Sequence, residues 1–291
     1  MSSRLRYVSG DEDSARWDGF AFRDGDIVIS TRSKSGTTWM QMICALLVLG
    51  TPRLPAPLAV LSPWLDHTVE PVADVRARLE AQRHRRFVKT HTPLDGLPLD
   101  PRATYVVVAR HPLDLAVSLY HQGDNIDRSR LAALTGVAHR TAPRPGLHDW
   151  LVGWTLEETT PQQQMDSLVG VLHHVSDAWA RREGGNVLLV HYADLSADRE
   201  GQMRGIADRL GVTVPEDRWV GLVEAASFDR MRSRSAELVP DAHGVLAEPA
   251  RFFRSGRSGA GREVLTTEEL ARYEARVASL ASPEVVAWLH R

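Results

Sequence analysis

Asp26-Ile27-Val28-Ile29-Ser30-Thr31-Arg32-Ser33-Lys34-Ser35-Gly36-Thr37-Thr38-Trp39 is the stretch that decides how this chain of 291 residues folds. An apolar, β-branched strand passes through a short polar turn and runs straight into a helix rich in Met, Ile and Leu. Free N–H groups at a helix N-terminus, with its positive dipole end, attract anions. Gly36 lets the main chain close on a phosphate, and Lys34 adds a mobile positive charge. The order is not that of the Walker loop, G-x-x-x-x-G-K-[ST], whose lysine follows the last glycine. Here the lysine comes two residues before the only glycine.

Outward from this turn, short and nearly continuous apolar runs predict strands at 26–30, 86–90, 104–109 and 186–190. Buried parallel strands have that character. Helical patterns follow at 36–49, 112–122, 162–182, 196–211, 216–225 and 267–280. Strands alternating with helices give βαβ units, so the expected fold is α/β, a P-loop-like three-layer arrangement with a central parallel sheet flanked by helices. Ligands of such sheets gather at the carboxyl ends of the strands. Stretches 123–147 and 232–262 carry little periodicity and read as long surface segments, the first a candidate lid. Neither resembles a linker, so one domain spanning 1–291, with a core of about 20–280, is expected.

With 43% hydrophobic and 25% charged residues, the composition is that of an ordinary soluble globular protein. No apolar run approaches the roughly 18 residues of a membrane helix, and the N-terminus lacks the apolar core of a secretory signal. The lone Cys44 excludes an intrachain disulfide and suits a cytoplasmic protein. A net charge of −2 argues against general nucleic-acid binding.

Three further constellations carry chemistry. Phe87-Val88-Lys89-Thr90-His91-Thr92-Pro93 delivers Lys89 and His91 to one side of a strand end, where the histidine can act as a base and the lysine keeps it neutral. In Tyr105–Tyr120 a strand ends at Arg110, a phosphate fork, and Pro112 starts a helix that carries Ser118. The bland reading of Arg110 is an ion pair with Asp114. Phe252–Arg262 places three arginines among glycines and serines, as an anion-binding loop would.

These four sites, in this order, resemble the cytosolic sulfotransferases that use 3′-phosphoadenosine-5′-phosphosulfate (PAPS). The family's T-Y-P-K-S-G-T-T-W stands here as Thr31–Trp39 and its K-T-H-L-P as Lys89–Pro93. Its 3′-phosphate motif is matched from Tyr105 to His121, and its R-K-G-x-x-G as Arg254–Gly259. The resemblance implies that Lys34, Ser35, Gly36, Thr37 and Thr38 hold the 5′-phosphosulfate and that Trp39, Tyr192 and Phe228 surround the adenine. It also implies that Arg110, Ser118, Arg254, Ser255 and Gly256 hold the 3′-phosphate. His91, Lys34, Lys89 and Ser118 form the implied catalytic set: His91 takes the acceptor proton, Lys34 supports the bridging oxygen and Lys89 the moving sulfuryl group. No metal is expected, because a sulfuryl group carries one negative charge that lysines and backbone N–H groups can stabilise.

Departures are Ser33 for proline, Ser255 for a lysine, Ala226 for a threonine and Gly259-Ala260-Gly261 for G-D-W; Arg257 or Arg262 is the candidate to replace the missing lysine charge. The acceptor is expected to be a small hydroxyl compound or phenol, with Trp64, Trp150, Trp154 and Met165 suggesting an apolar pocket. A catalytically silent homologue and an atypical small-molecule kinase are the alternatives. Elsewhere, Arg83–Arg86 reads as a solvated edge, His173-His174 as surface or packing residues, and Glu157-Glu158 and Glu268-Glu269 as exposed helix faces. The oligomeric state is not legible.

Overall fold

A computed structural model describes residues 4–137, 144–239, 243–254, 256 and 258–291. Its sheet holds β1 (Ile27–Thr31), β2 (Phe87–Thr90), β3 (Thr104–Ala109) and β4 (Val187–His191) in the order β2-β1-β3-β4. Every pairing is parallel, with Ile29 opposite both Lys89 and Val106, and Ala109 opposite His191. Strand alternation sends Ile27, Ile29, Val106 and Val108 into one layer, against the helices Thr37–Leu49 and Arg199–Leu210. Val28, Tyr105 and Val107 face the other layer, with Trp17, Phe22 and Leu79. A third cluster packs the helices Pro112–Asp124, Leu147–Leu156, Leu168–Arg181 and Thr267–Leu280 through Leu113, Leu151, Leu172 and Tyr273.

The expected α/β architecture is therefore observed, and each strand lies within one residue of its predicted bounds. The chain leaves β1 toward β2 on one side and leaves β3 toward β4 on the other. That makes the crevice between the carboxyl ends of β1 and β3 the topological switch point, where such sheets bind ligands.

Two corrections concern the sequence-based elements. The stretch 123–147 contains the helix Arg128–Thr135, capped by the Asp127 side chain, and the helix Val72–Ala81 was likewise not expected. Each buries only one or two side chains (Leu131 in the first, Val75 and Leu79 in the second), too few to leave an apolar period. The run Arg83–Arg86 is a solvated edge only in part: Arg83 is exposed, but Arg86 is not. Arg86 is 2% exposed and forks onto both oxygens of the equally buried Asp26, with a further bond of 2.8 Å to the Ala21 carbonyl. The apolar neighbourhood of that pair hides it from pattern reading, because its partners lie 60 residues apart. Cys44 is buried, and burial pushes its thiol up to about 12.

Candidate active site

The turn after β1 folds as its residue types require. Gly36 caps the helix Thr37–Leu49 with φ 110°, and a Cβ there would meet the Tyr192 ring at 3.0 Å, so both backbone and space demand glycine. Lys34 is, among the described residues, the one non-glycine with a left-handed backbone, φ 66°. Such strain persists where surroundings enforce it, and it clusters at functional sites. The Lys34 ammonium lies 4.0 Å from the Phe252 ring centroid and donates to Gln122 Oε1 at 3.2 Å.

One cavity of about 410 Å³ gathers nearly all the residues singled out from the sequence: Lys34, Gly36, Thr37, Thr38 and Trp39 from the first turn and the helix it starts, Lys89 near the end of β2, His91 just past it, and Arg110 and Ser118 beyond β3. Tyr192, Phe228, Arg254 and Gly256 line it too. Ser35 is 2% exposed and does not line it. Ser255 and Arg257 lie outside the described residues. Arg262 opens on a separate cavity of about 170 Å³ that shares only Arg110 with the main one.

An aromatic box occupies one end. Trp39 meets Tyr192 edge-on at 5.2 Å and donates its indole N–H to the Ala226 carbonyl at 2.9 Å. Gly256, at φ 64°, approaches Phe228 so closely that a Cβ would sit 2.7 Å from the ring. The Arg110 guanidinium lies 4.4 Å from the Tyr192 centroid. Asp114 serves the loop rather than the bland role assigned to it: its carboxylate accepts the amides of Gly259 at 2.7 Å and Gly261 at 2.9 Å. A Cβ on Gly261 would strike the Leu113 backbone at 2.5 Å, so small residues in place of G-D-W allow this close docking.

At the other end, His91 is 5% exposed and hydrogen-bonds through Nδ1 to the Thr31 carbonyl at 2.5 Å. A carbonyl only accepts, so Nδ1 carries the proton and Nε2 keeps a free lone pair. Burial, aided by Lys89 and Arg32, holds the imidazole well below its ordinary value, and therefore neutral. Arg32 braces the same residue by donating to its carbonyl, and binds Asp166 at 2.6 Å. Burial and the positive charges of Arg110, Lys89 and Arg254 lower Lys34 to about 7. Burial lowers Lys89 to about 8 against the pull of Glu12, Asp66 and Asp11.

Of the 35 lysines and arginines in the chain, only these two are lysines. Lysine restricted to one cavity in an otherwise arginine-based chain is a signal that needs no structure to see.

The roof of the cavity was not legible. Ile126 pairs with Leu246, and both line the cavity with Leu131 and Val245. Asn125 stitches the two segments through Nδ2 to the Glu248 carbonyl and Oδ1 to the Glu248 amide, both at 2.9 Å. The cavity lining also includes the polar Asp11, His67 and His243, and Trp64. Of the residues expected to make an apolar pocket, Trp64 alone lines it. Trp154 donates to the Asp166 carbonyl, Met165 contacts Arg32, and Trp150 packs between Tyr120 and Trp154. His173 bonds Asp95 at 2.8 Å and His174 bonds Ser30 at 3.1 Å, which makes both packing residues.

A family model described as the sulfotransferase domain matches residues 24–282, and the chain belongs to that family. It is 40% identical over 311 residues to a glycolipid sulfotransferase of Mycobacterium bovis (strain BCG / Pasteur 1173P2), covering 100% of this chain and 95% of that protein. Sulfotransferase 1A1 of Rattus norvegicus is 27% identical over 268 residues, covering 87% of this chain and 83% of its own length. The crystal structure of retinol dehydratase in complex with androsterone and the inactive cofactor PAP shares the fold, with a TM-score of 0.72 at 23% identity over 93% of this chain and 84% of that one. Among the described residues no helix is long and apolar enough to cross a membrane.

Proposed function

We propose that the chain, acting as one domain in the cytoplasm, moves the sulfuryl group of PAPS to a hydroxyl of an amphipathic acceptor and leaves adenosine 3′,5′-bisphosphate (PAP). The observation that carries this reading is one cavity that joins a cationic cradle to a neutral histidine with a free Nε2. The residues fit the nucleotide. Gly36 and Gly256 leave room that a Cβ would fill, an aromatic box stands ready for a base, and Lys34 is depressed by burial and then by neighbouring cations whose repulsion a bound anion would relieve.

PAPS supplies an activated sulfuryl group on a phosphate leaving group. Lys34 and the amides of Gly36–Thr38 hold the phosphate side, while Arg110, Ser118, Arg254 and the Gly256 amide hold the 3′-phosphate. Trp39, Tyr192 and Phe228 enclose the base. His91 Nε2 takes the acceptor's proton as the new S–O bond forms and the bond to the bridging oxygen breaks. Lys89 balances charge on the moving group. General-base help of this kind is worth roughly 10²–10⁴ in rate.

The mixed lining supports an amphipathic acceptor: Ile126, Leu131, Val245 and Leu246 are apolar, and Asp11, His67 and His243 are polar. The glycolipid sulfotransferase similarity agrees with a sugar hydroxyl carried on a lipid. Labelled PAPS offered with glycolipids, phenols, long-chain alcohols and free sugars is expected to label the glycolipids most. PAP at 100 times its Kd should stabilise the fold by about 2.7 kcal/mol without added magnesium. Stabilisation by PAP with no transfer to any acceptor would favour the silent homologue, and preferential transfer to free sugars would overturn the amphipathic reading.

A further inference from the structure

Lys89 is held by a residue that no motif names. The segment Pro63–Leu65 lies along the free edge of β2: the Lys89 amide donates to the Pro63 carbonyl at 2.9 Å, and Trp64 bridges Lys89 in parallel register. Asp66 then locks the segment by accepting from the hydroxyls of Thr90 and Thr92, on either side of His91. This places the Trp64 indole where the Lys89 ammonium lies 3.6 Å from its centroid. The edge of the same ring system meets His91 at 4.8 Å and 80°, and His67 stacks parallel to it at 4.0 Å.

Packing alone does not explain an indole here. Trp64 Nε1 is buried without a hydrogen-bond partner among the described residues, a cost that leucine or phenylalanine would not incur. An aromatic face does for a buried ammonium what a carboxylate would, with one difference. It stabilises the charge without cancelling it, so the cation stays available to an incoming anion.

We propose that Trp64 is a positioning residue for sulfuryl transfer, its face holding the Lys89 ammonium and its edge orienting the His91 ring. The role in turnover rests on the sulfotransferase reading; the hold on Lys89 does not. Among the described residues, the other groups that act on Lys89 are Glu12 and Asp11 from the N-terminal segment, Asp66 and His67 after Pro63, Lys34 beyond β1, and His91 just past the end of its strand. None of these residues is replaced in a Trp64 variant.

Because the chain has two lysines, protein labelled with 13C-lysine gives two ε-carbon resonances, which Lys34→Arg assigns. Trp64→Leu is expected to lower the titration midpoint of Lys89 by up to about one pH unit, the size of a desolvated cation–π contact, and to leave Lys34 in place. Trp64→Phe keeps a smaller face and should recover at least half of the shift; if the leucine variant does not fold, a smaller fall in the phenylalanine variant decides. A midpoint that is unchanged or raised, or equal in both variants, overturns the hold on Lys89 whether or not the protein transfers sulfate. With PAPS and the best acceptor of the panel, kcat of Trp64→Leu should fall about tenfold while the Kd for PAP stays within twofold. An unchanged kcat with a raised KM would make Trp64 a plain wall of the acceptor pocket and overturn the positioning role.

Discussion

Arg86 and Lys89 stand at opposite ends of one strand, both buried, and the protein treats their charges in opposite ways. At the amino end, Arg86 forks onto Asp26 and a carbonyl, so its charge is spent inside the scaffold. At the carboxyl end, Lys89 meets an indole face; Glu12, Asp66 and Asp11 pull on its charge, but among the described residues none of them forks onto it. A buried charge with a carboxylate fork holds structure together. A buried charge without one is kept for a partner from outside. The residue types follow the same division, because arginine stays protonated and binds in a planar fork, whereas lysine shifts readily when buried.

The comparison breaks most visibly at the catalytic end. His91→Ala is expected to lower kcat by roughly 10²–10⁴. Calorimetric affinity for PAP should not change, and equal losses in both would assign His91 to binding instead.

Next in size is the structural end. Asp26→Ala leaves Arg86 buried and uncompensated and should cost about 3–5 kcal/mol in urea unfolding. Lys89→Met removes a charge that burial already penalises, so its stability should stay within about 1 kcal/mol of the parent while activity is lost. Similar destabilisation by both substitutions would erase the distinction between the ends.

A smaller effect sharpens the contrast through pH. With nothing bound, Lys34 sits at about 7, lowered first by burial and then by Arg110, Lys89 and Arg254. A bound anion favours the charged form and raises that value, so binding above pH 7 takes up a proton. Affinity for PAP should therefore fall by about tenfold per unit as pH rises from 7 toward the raised value in the complex. Titration calorimetry in buffers of different ionisation enthalpy counts the proton, and Lys34→Arg should remove most of the slope.

The smallest expected effect calibrates the rest. Thr266 and Glu269 form a reciprocal capping box on the helix Thr267–Leu280, none of whose residues lines the cavity. Thr266→Ala should cost about 1 kcal/mol with kcat unchanged. A change in kcat would show that this helix reports to the site.

What could be read in advance was whatever local spacing encodes. The strands were legible because doubly covered parallel strands are apolar at nearly every position. Lys34, Lys89, His91 and Arg110 were legible because each lies at or close to a strand end, and Ser118 because it lies two turns into the helix that follows one. Contacts between distant segments were not. Asp114 reaches amides 145 residues away, Asn125 pairs with a residue 123 positions on, and Trp64 meets Lys89 only because an irregular segment adds to the sheet edge. None of these leaves a periodic trace. The helix Arg128–Thr135 leaves almost none, because it buries Leu131 alone.

Asn125 has one more consequence, for traffic through the cavity. Besides its two side-chain bonds to Glu248, its carbonyl accepts the Ala247 amide at 2.9 Å, and the Asp127 amide donates to the Val245 carbonyl at 2.8 Å. With Arg130 Nε donating to the His243 carbonyl at 2.9 Å, these bonds close a single seam between the halves of the roof. A guest larger than the enclosed space must part them together rather than one by one. On the proposed acceptor reading, entry of a bulky acceptor then becomes an all-or-none opening, with a waiting time of its own.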